Sequence, residues 1–211
     1  MKLILHSYRR CPFCIRTRIL LCLKKIPYEI VEEPLREWTP WMLEWSKKND
    51  ERPRVPVLRD INDDGTEETM PESNEMNLFI DAMSVTPEFT PELNTDSYKE
   101  MITWFDWCAR ELKPMIDLYK YGVNLKFDAE THVVHTAELQ KRIQELEDEL
   151  GSKKFLIENR LTLADIAIIP FIRQIMRTRE GEFDFAPYSK VLLWTNSIVE
   201  TDWFKEIVMK K

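Results

Sequence analysis

The chain has 211 residues, 44% hydrophobic and 32% charged, enough apolar material for one large or two modest cores and too balanced a composition for disorder. A formal net charge of -7 argues against nucleic acid or an anionic membrane as the main partner, and the basic pairs Arg9-Arg10 and Lys210-Lys211 form no binding stripe. The most apolar stretch, Leu161–Met176, is broken by Asp165, Pro170, Arg173 and Gln174, so it reads as a buried helix and no membrane span is expected.

Leu3–Ser7 reads as a strand. Its apolar part is too short for a secretion-signal core and is followed at once by His6 and two arginines. An amphipathic helix is expected over Cys11–Lys25, and Cys11-Pro12-Phe13-Cys14 stands at its mouth. A cysteine there faces unpaired backbone N–H groups and the positive end of the helix dipole, both of which favour the thiolate. Pro12 suits the first helical position, where its missing N–H would have no partner. Cys14 falls about one turn further on, within disulfide reach of an exposed Cys11 sulfur, and Arg9, Arg10, Arg16 and Arg18 add positive charge. An activated thiol backed by a second one is a redox device. The pair could also be half of a zinc site, but Cys22 and Cys108 stand alone and His132 and His135 are distant in the chain. An iron–sulfur cluster bridging two chains is a further alternative. Cys22 falls on the apolar side of the helix and is expected to fill core. Four cysteines make no disulfide scaffold, so a reducing cytoplasm is the expected home.

Tyr28–Val31 reads as a second strand, parallel to the first through the usual crossover. Trp38, Trp41 and Trp45 surround a short helix. Val55-Pro56 precedes a third strand opening at Val57-Leu58; a cis bond there would bare the Val55 backbone N–H and C=O to an extended peptide ligand. Asn62-Asp63-Asp64-Gly65 is a hairpin signal, Thr66–Met70 the return strand, and Ser73–Met83 a closing helix. The order predicts an α/β unit with a mixed four-stranded sheet over residues 1–83.

Residues 84–95 carry Pro87 and Pro91 and lose periodicity, as a linker does. Residues 96–211 are expected to be all-helical. Met101, Trp104, Phe105, Cys108 and Leu112 recur at helical spacing, and Glu138–Leu150 carries an apolar seam of Leu139, Ile143, Leu146 and Leu150 ending at Gly151. Thr162-Leu163-Ala164-Asp165 has the form of a capping box and is taken as structural. Leu193–Val199 and Trp203–Met209 complete the helical pattern.

Strand–CPFC–helix, Val-Pro before a strand, Pro71-Glu72-Ser73 before a helix, and Leu161–Asp165 together make the whole chain resemble the glutathione transferase superfamily. Cys11–Cys14 and Met70–Ser73 look most like the two-domain bacterial glutaredoxin, while Thr162–Asp165 is more similar to ordinary and omega-type transferases. The resemblance implies a thioredoxin-like first domain, an all-α second domain and glutathione as co-substrate. It makes Cys11 the catalytic cysteine that forms a mixed disulfide with glutathione and Cys14 the resolving one. Val55, before Pro56, would pair with the cysteinyl part of glutathione, Glu72 and Ser73 would hold the γ-glutamyl end, and Arg54 would meet the glycyl carboxylate. The implied reaction is glutathione-dependent thiol transfer on small-molecule or protein disulfides. The alternatives are conjugation to an electrophile, with Trp104, Trp107 and Tyr119 as second-substrate wall, and a non-catalytic binding module. A monomer or a homodimer is implied.

Overall fold

Strands β1 (Lys2–Ser7), β2 (Glu29–Glu32), β3 (Val57–Ile61) and β4 (Glu67–Met70) form one sheet in the order β2-β1-β3-β4. This is seen in a computed structural model of the protein that describes residues 2–84, 88–122, 128–178 and 182–209. Pro87 of the expected linker and the terminal lysines lie outside the described residues. β1 pairs parallel with β2 (Ile4 opposite Glu29) and antiparallel with β3 (His6 opposite Val57), and β3 pairs antiparallel with β4. Leu3 to Ser7 are all buried, as a central strand covered on both faces requires. This is the mixed four-stranded sheet that the strand order predicts, and the thioredoxin-like first domain that the resemblance implies.

Helices α1 (Pro12–Leu23) and α3 (Ser73–Ala82) pack against each other. A buried ion pair joins their C-terminal ends, Lys24 Nζ lying 3.1 Å from Asp81 Oδ1. On α2 (Pro40–Lys48), Met42 and Trp45 pack with Val57, and the Trp41 ring stacks on His6 at 4.0 Å. His6 Nδ1 and Glu33 Oε1 are 2.6 Å apart, and Glu33 accepts from the Thr39 N–H (3.0 Å) and hydroxyl (2.7 Å). Thr39 Oγ1 in turn caps α2 by accepting from Met42 N, so a buried acid fastens the end of β1 to the start of α2. Burial lowers the pKa of His6 against the opposing pull of Glu33.

By their contacts the residues group as Met1–Pro87 with Asp202–Lys211, and as Glu88–Thr201. The last helix, α9 (Asp202–Met209), packs on α1 and goes with the sheet, whereas the sequence reading places it with the helical remainder.

In the second unit α4 (Asp96–Trp107) runs through a π-helical turn, Cys108–Leu112, into α5 (Lys113–Tyr121). The turn has a local cause. Pro114 has no N–H to offer the Arg110 carbonyl, and the Lys113 N–H reaches instead to Cys108 O. Helix α6 (Ala129–Leu150) starts well before the expected Glu138, because the Asp128 carboxylate accepts from Thr131 N at 2.7 Å and caps it. Its seam of Leu139, Ile143, Leu146 and Leu150 is buried as expected, and Gly151 follows at φ +45°.

Helix α7 (Leu163–Arg177) is buried along its first ten residues, and α8 (Ser189–Val199) packs on both α6 and α7. The capping box is present, and it does more than start the helix. Asp165 Oδ2 accepts from the Thr162 N–H and hydroxyl, both at 2.9 Å, while Oδ1 accepts from Leu156 N (3.0 Å) and Trp194 Nε1 (2.8 Å). No helix among the described residues is long and apolar enough to cross a membrane.

Candidate active site

Cys11 is the N-cap of α1, with extended backbone (φ −76°, ψ 121°), and Pro12 is the first helical residue. Its N–H donates to Tyr8 O at 2.9 Å, a turn that delivers the chain from β1 into the helix, and its carbonyl accepts the first helical bond from Ile15 N. The side chain is half-buried, with Sγ 4.0 Å from the Val55 carbonyl oxygen. Its pKa is lowered from 9.0 to about 7, chiefly by a hydrogen bond from the Cys14 thiol. Burial opposes this, and the Cys14 and Phe13 N–H groups and the Arg16 charge add to it.

Cys14 is fully buried, and its sulfur accepts from Tyr8 N at 3.3 Å. Burial pushes its pKa well up, and its hydrogen bond to the Cys11 sulfur pushes the same way. One thiol is therefore poised as the anion and the other as its proton-bearing partner. All four cysteines are unbridged. Cys108 is buried, with Sγ 3.7 Å from Ala167 O; Cys22 is half-buried and so only partly the core filler expected. No group of three or more metal-ligating side chains forms among the described residues, so Cys11 and Cys14 have no second ligand pair there.

The Val55-Pro56 peptide is cis, and Val55 sits opposite the thiol just ahead of β3. Glu72 is the N-cap of α3 and Ser73 its first residue, the former exposed and the latter buried. The structure thus brings Cys11, Cys14, Val55, Pro56, Glu72 and Ser73 onto one unit. Arg54 pairs with two acids of the same unit. Its guanidinium lies 2.6 Å from Glu72 Oε1 and 2.9 Å from Glu51 Oε2. Sequence reading counted Arg16 only as one more positive charge, but its guanidinium bridges to Ser73 and Asn74.

Trp104, Trp107 and Tyr119 do not line one wall. Trp104 and Trp107 meet edge to face at 5.2 Å, and Trp107 Nε1 donates to Glu145 on α6. Tyr119 stacks on His132, near the other end of α6, and borders a cavity of about 370 Å³ with Thr136 and Gln140. From His132 to Glu145 is about 20 Å of helix at 1.5 Å per residue. Aromatic periodicity located the helices but not the separate clusters their rings join.

A thiol heading the first helix of a mixed sheet, opposite a cis X–Pro ahead of the third strand, marks a thioredoxin-like unit, here followed by a helical one. The family model of the glutathione S-transferase N-terminal domain matches residues 10–83, and that of the C-terminal domain matches residues 115–202. The chain belongs to the glutathione S-transferase family.

No curated protein matches the sequence. Among solved structures, a glutathione transferase family member from Pseudomonas fluorescens, crystallised with two glutathione bound, is 19% identical with a TM-score of 0.82 over 98% of this chain and 92% of that one. A glutathione transferase from Phanerochaete chrysosporium with oxidised glutathione is 18% identical, with a TM-score of 0.82 over 98% and 93%. The nitrogen regulation fragment of the yeast prion protein Ure2p is 16% identical, with a TM-score of 0.78 over 100% and 97%. Similarity at this level speaks to the fold.

Proposed function

We propose that the protein is a glutathione-dependent thiol-transfer enzyme acting on disulfides or glutathionylated substrates, with Cys11 as nucleophile. The observation that carries the reading is the capping position of Cys11, its half-buried sulfur 4.0 Å from the Val55 carbonyl oxygen with the buried Cys14 thiol one turn further along the same helix. Glutathione bound to structural neighbours supports the choice of ligand. Cys11 thiolate attacks the glutathionyl sulfur of a mixed disulfide; the Cys11–glutathione disulfide forms as the old S–S bond breaks, and the substrate leaves as a thiolate that takes up a proton. A second glutathione thiolate then attacks that disulfide, releasing oxidised glutathione and the Cys11 thiolate. Alternatively Cys14 attacks, releasing glutathione and leaving a Cys11–Cys14 disulfide. Val55 pairs with the cysteinyl backbone, and Glu72 and Ser73 take the γ-glutamyl ammonium and carboxylate. Such chemistry suits a reducing cytoplasm.

Family membership itself favours a second reading, conjugation of glutathione to an electrophile. There the reacting sulfur is that of glutathione and Cys11 is dispensable. Parallel assays with glutathione, using 2-hydroxyethyl disulfide and 1-chloro-2,4-dinitrobenzene, separate the two. Cys11→Ser is expected to abolish disulfide reduction, and Cys14→Ser to retain much of it, since glutathione can resolve the intermediate. Disulfide reduction that survives Cys11→Ser overturns the thiol-transfer mechanism. Absence of both activities in the wild type favours a binding role, as in a regulator.

A further inference from the structure

Ser7 is the last residue of β1 and is fully buried. Successive strand residues point to opposite faces, so Ser7 shares its face with Leu3 and Leu5, away from the His6 ring that stacks on Trp41 of α2. Its carbonyl accepts from the Glu33 N–H at 2.8 Å, so the strand end is tied down through the backbone. The hydroxyl takes no part in this. Oγ is buried and makes no aligned hydrogen bond. It lies beside the Cys14 sulfur, where it favours the thiolate against the effect of burial. The neighbouring Tyr8 N–H donates to the same sulfur at 3.3 Å.

Two donors thus converge on a sulfur that is itself fully buried. A neutral thiol gains little from them, because its sulfur is a weak acceptor; a thiolate gains far more, since hydrogen bonds to an ion are about twice as strong. Cys14 needs that charge at one point in the reaction. Once the Cys11 sulfur is held in a disulfide with glutathione, Cys14 can attack it only as the thiolate. We propose that the Ser7 hydroxyl, together with the Tyr8 N–H, forms a donor pocket that stabilises the Cys14 thiolate as it resolves the Cys11–glutathione disulfide. The inference rests on the thiol-transfer reading and names the side chain that favours the Cys14 route of resolution. In that step the Cys14–Cys11 bond forms as the Cys11–glutathione bond breaks. Cys14 gives up its proton to water and the departing glutathione thiolate takes one up, so one disulfide replaces another with no outside oxidant.

The test follows the two steps separately. Reduced protein is mixed with oxidised glutathione, quenched with acid at intervals and resolved by mass spectrometry into the Cys11 mixed disulfide and the Cys11–Cys14 disulfide. Ser7→Ala should form the mixed disulfide at the wild-type rate and close it roughly tenfold more slowly, the effect of losing one hydrogen bond to an ion. The substitution removes a single buried atom that makes no aligned hydrogen bond, so the fold should be kept, as urea unfolding will check. Ser7→Thr keeps the hydroxyl and should close at a rate near that of the wild type. Equal closing rates in wild type and Ser7→Ala overturn the proposal, as does a Ser7→Thr variant that closes as slowly as Ser7→Ala. Slowing of both steps to the same extent also overturns it, since the hydroxyl would then act on Cys11. A Ser7→Ala chain that does not fold would give the hydroxyl a structural role and overturn it too. A wild type in which Cys11 takes up no glutathione removes the functional reading; one that takes it up and closes without regard to Ser7 removes this inference alone.

Discussion

Arg54 Nη1 lies 2.6 Å from Glu72 Oε1, so the carboxylate of the α3 N-cap residue and the guanidinium ahead of β3 hold one another. The side chains are 40% and 55% exposed, which puts the pair among surface ion pairs worth about 0–1 kcal/mol. A ligand ammonium can displace or share such a partner. Glu72→Gln is expected to weaken glutathione roughly tenfold and to erase most of the preference for glutathione over cysteinylglycine, which lacks the γ-glutamyl end. Arg54→Gln should change glutathione affinity less than about threefold, the strength of one weak ion pair. Titration of both ligands into both variants decides it; equal losses in the two variants would show that Arg54 itself meets the ligand.

The lowered pKa of Cys11 gives a pH dependence with a definite sign. The folded protein releases the Cys11 proton at about 7 where the free thiol holds it to 9.0. Between those values the unfolded chain binds more protons, so the group's stabilising effect is full above the upper value and fades as pH falls through the lower one. Wild type should therefore gain stability over Cys11→Ser as pH rises from 7 to 9, as measured by urea unfolding. Alkylation should label Cys11 first, with a midpoint near 7, and Cys14 and Cys108 last, because both are buried. Cys14→Ala should raise the midpoint by removing the donor, and Cys14→Ser should raise it less. A midpoint indifferent to Cys14→Ala would mean that the helix N-terminus and Arg16 do the lowering.

What was legible in the sequence follows from how local each signal is. The Cys11 cap, the hairpin at Asn62–Gly65 and the Thr162–Asp165 box are set by residues within one turn of each other, and backbone chemistry at that range leaves a readable pattern. Arg16 was not legible as a partner of Ser73, because that contact crosses 57 residues of chain and exists only when α1 packs on α3. The first turns of α6 were missed because Val133 and Val134 there point to solvent and supply no seam; the Asp128 cap was the available signal. The period of Trp203–Met209 announces a helix but not that it packs on α1. Trp107 and Tyr119 share a pattern and not a neighbourhood, since periodicity tells which residues face inward and not what they meet.

Asp165 ties three segments of the second unit together. Its buried carboxylate accepts from the N–H groups of Leu156 and Thr162, the Thr162 hydroxyl and the Trp194 indole. Asp165→Ala strands those donors at once, each an unmet buried group, and should cost about 3 kcal/mol or more. Trp194→Phe removes one donor and should cost about 1–2 kcal/mol. Urea denaturation gives both values. A loss below about 1 kcal/mol for Asp165→Ala would show that water or a shift of α7 satisfies the stranded groups.

Lys24 and Asp81 bear on the site at a distance, because they fix α1, which carries Cys11, against α3, which carries Ser73. Both side chains are almost wholly buried. Removing Lys24 takes a cation away from the buried Asp81 carboxylate, so Lys24→Met is expected to destabilise the fold by about 3–5 kcal/mol. Removing both charges removes the mismatch between the two, and Lys24→Met/Asp81→Leu should recover part of the loss. A double variant that stays as unstable as the single one would show that the pair contributes shape and hydrogen bonds that apolar side chains cannot replace. The site gives a second readout. If the ion pair sets the spacing between the two helix N-termini, the well-folded double variant should keep a Cys11 alkylation midpoint near 7 while its preference for glutathione over cysteinylglycine falls. The preference depends on Glu72 and Ser73 standing at the right distance from the sulfur, whereas the midpoint depends on contacts within α1.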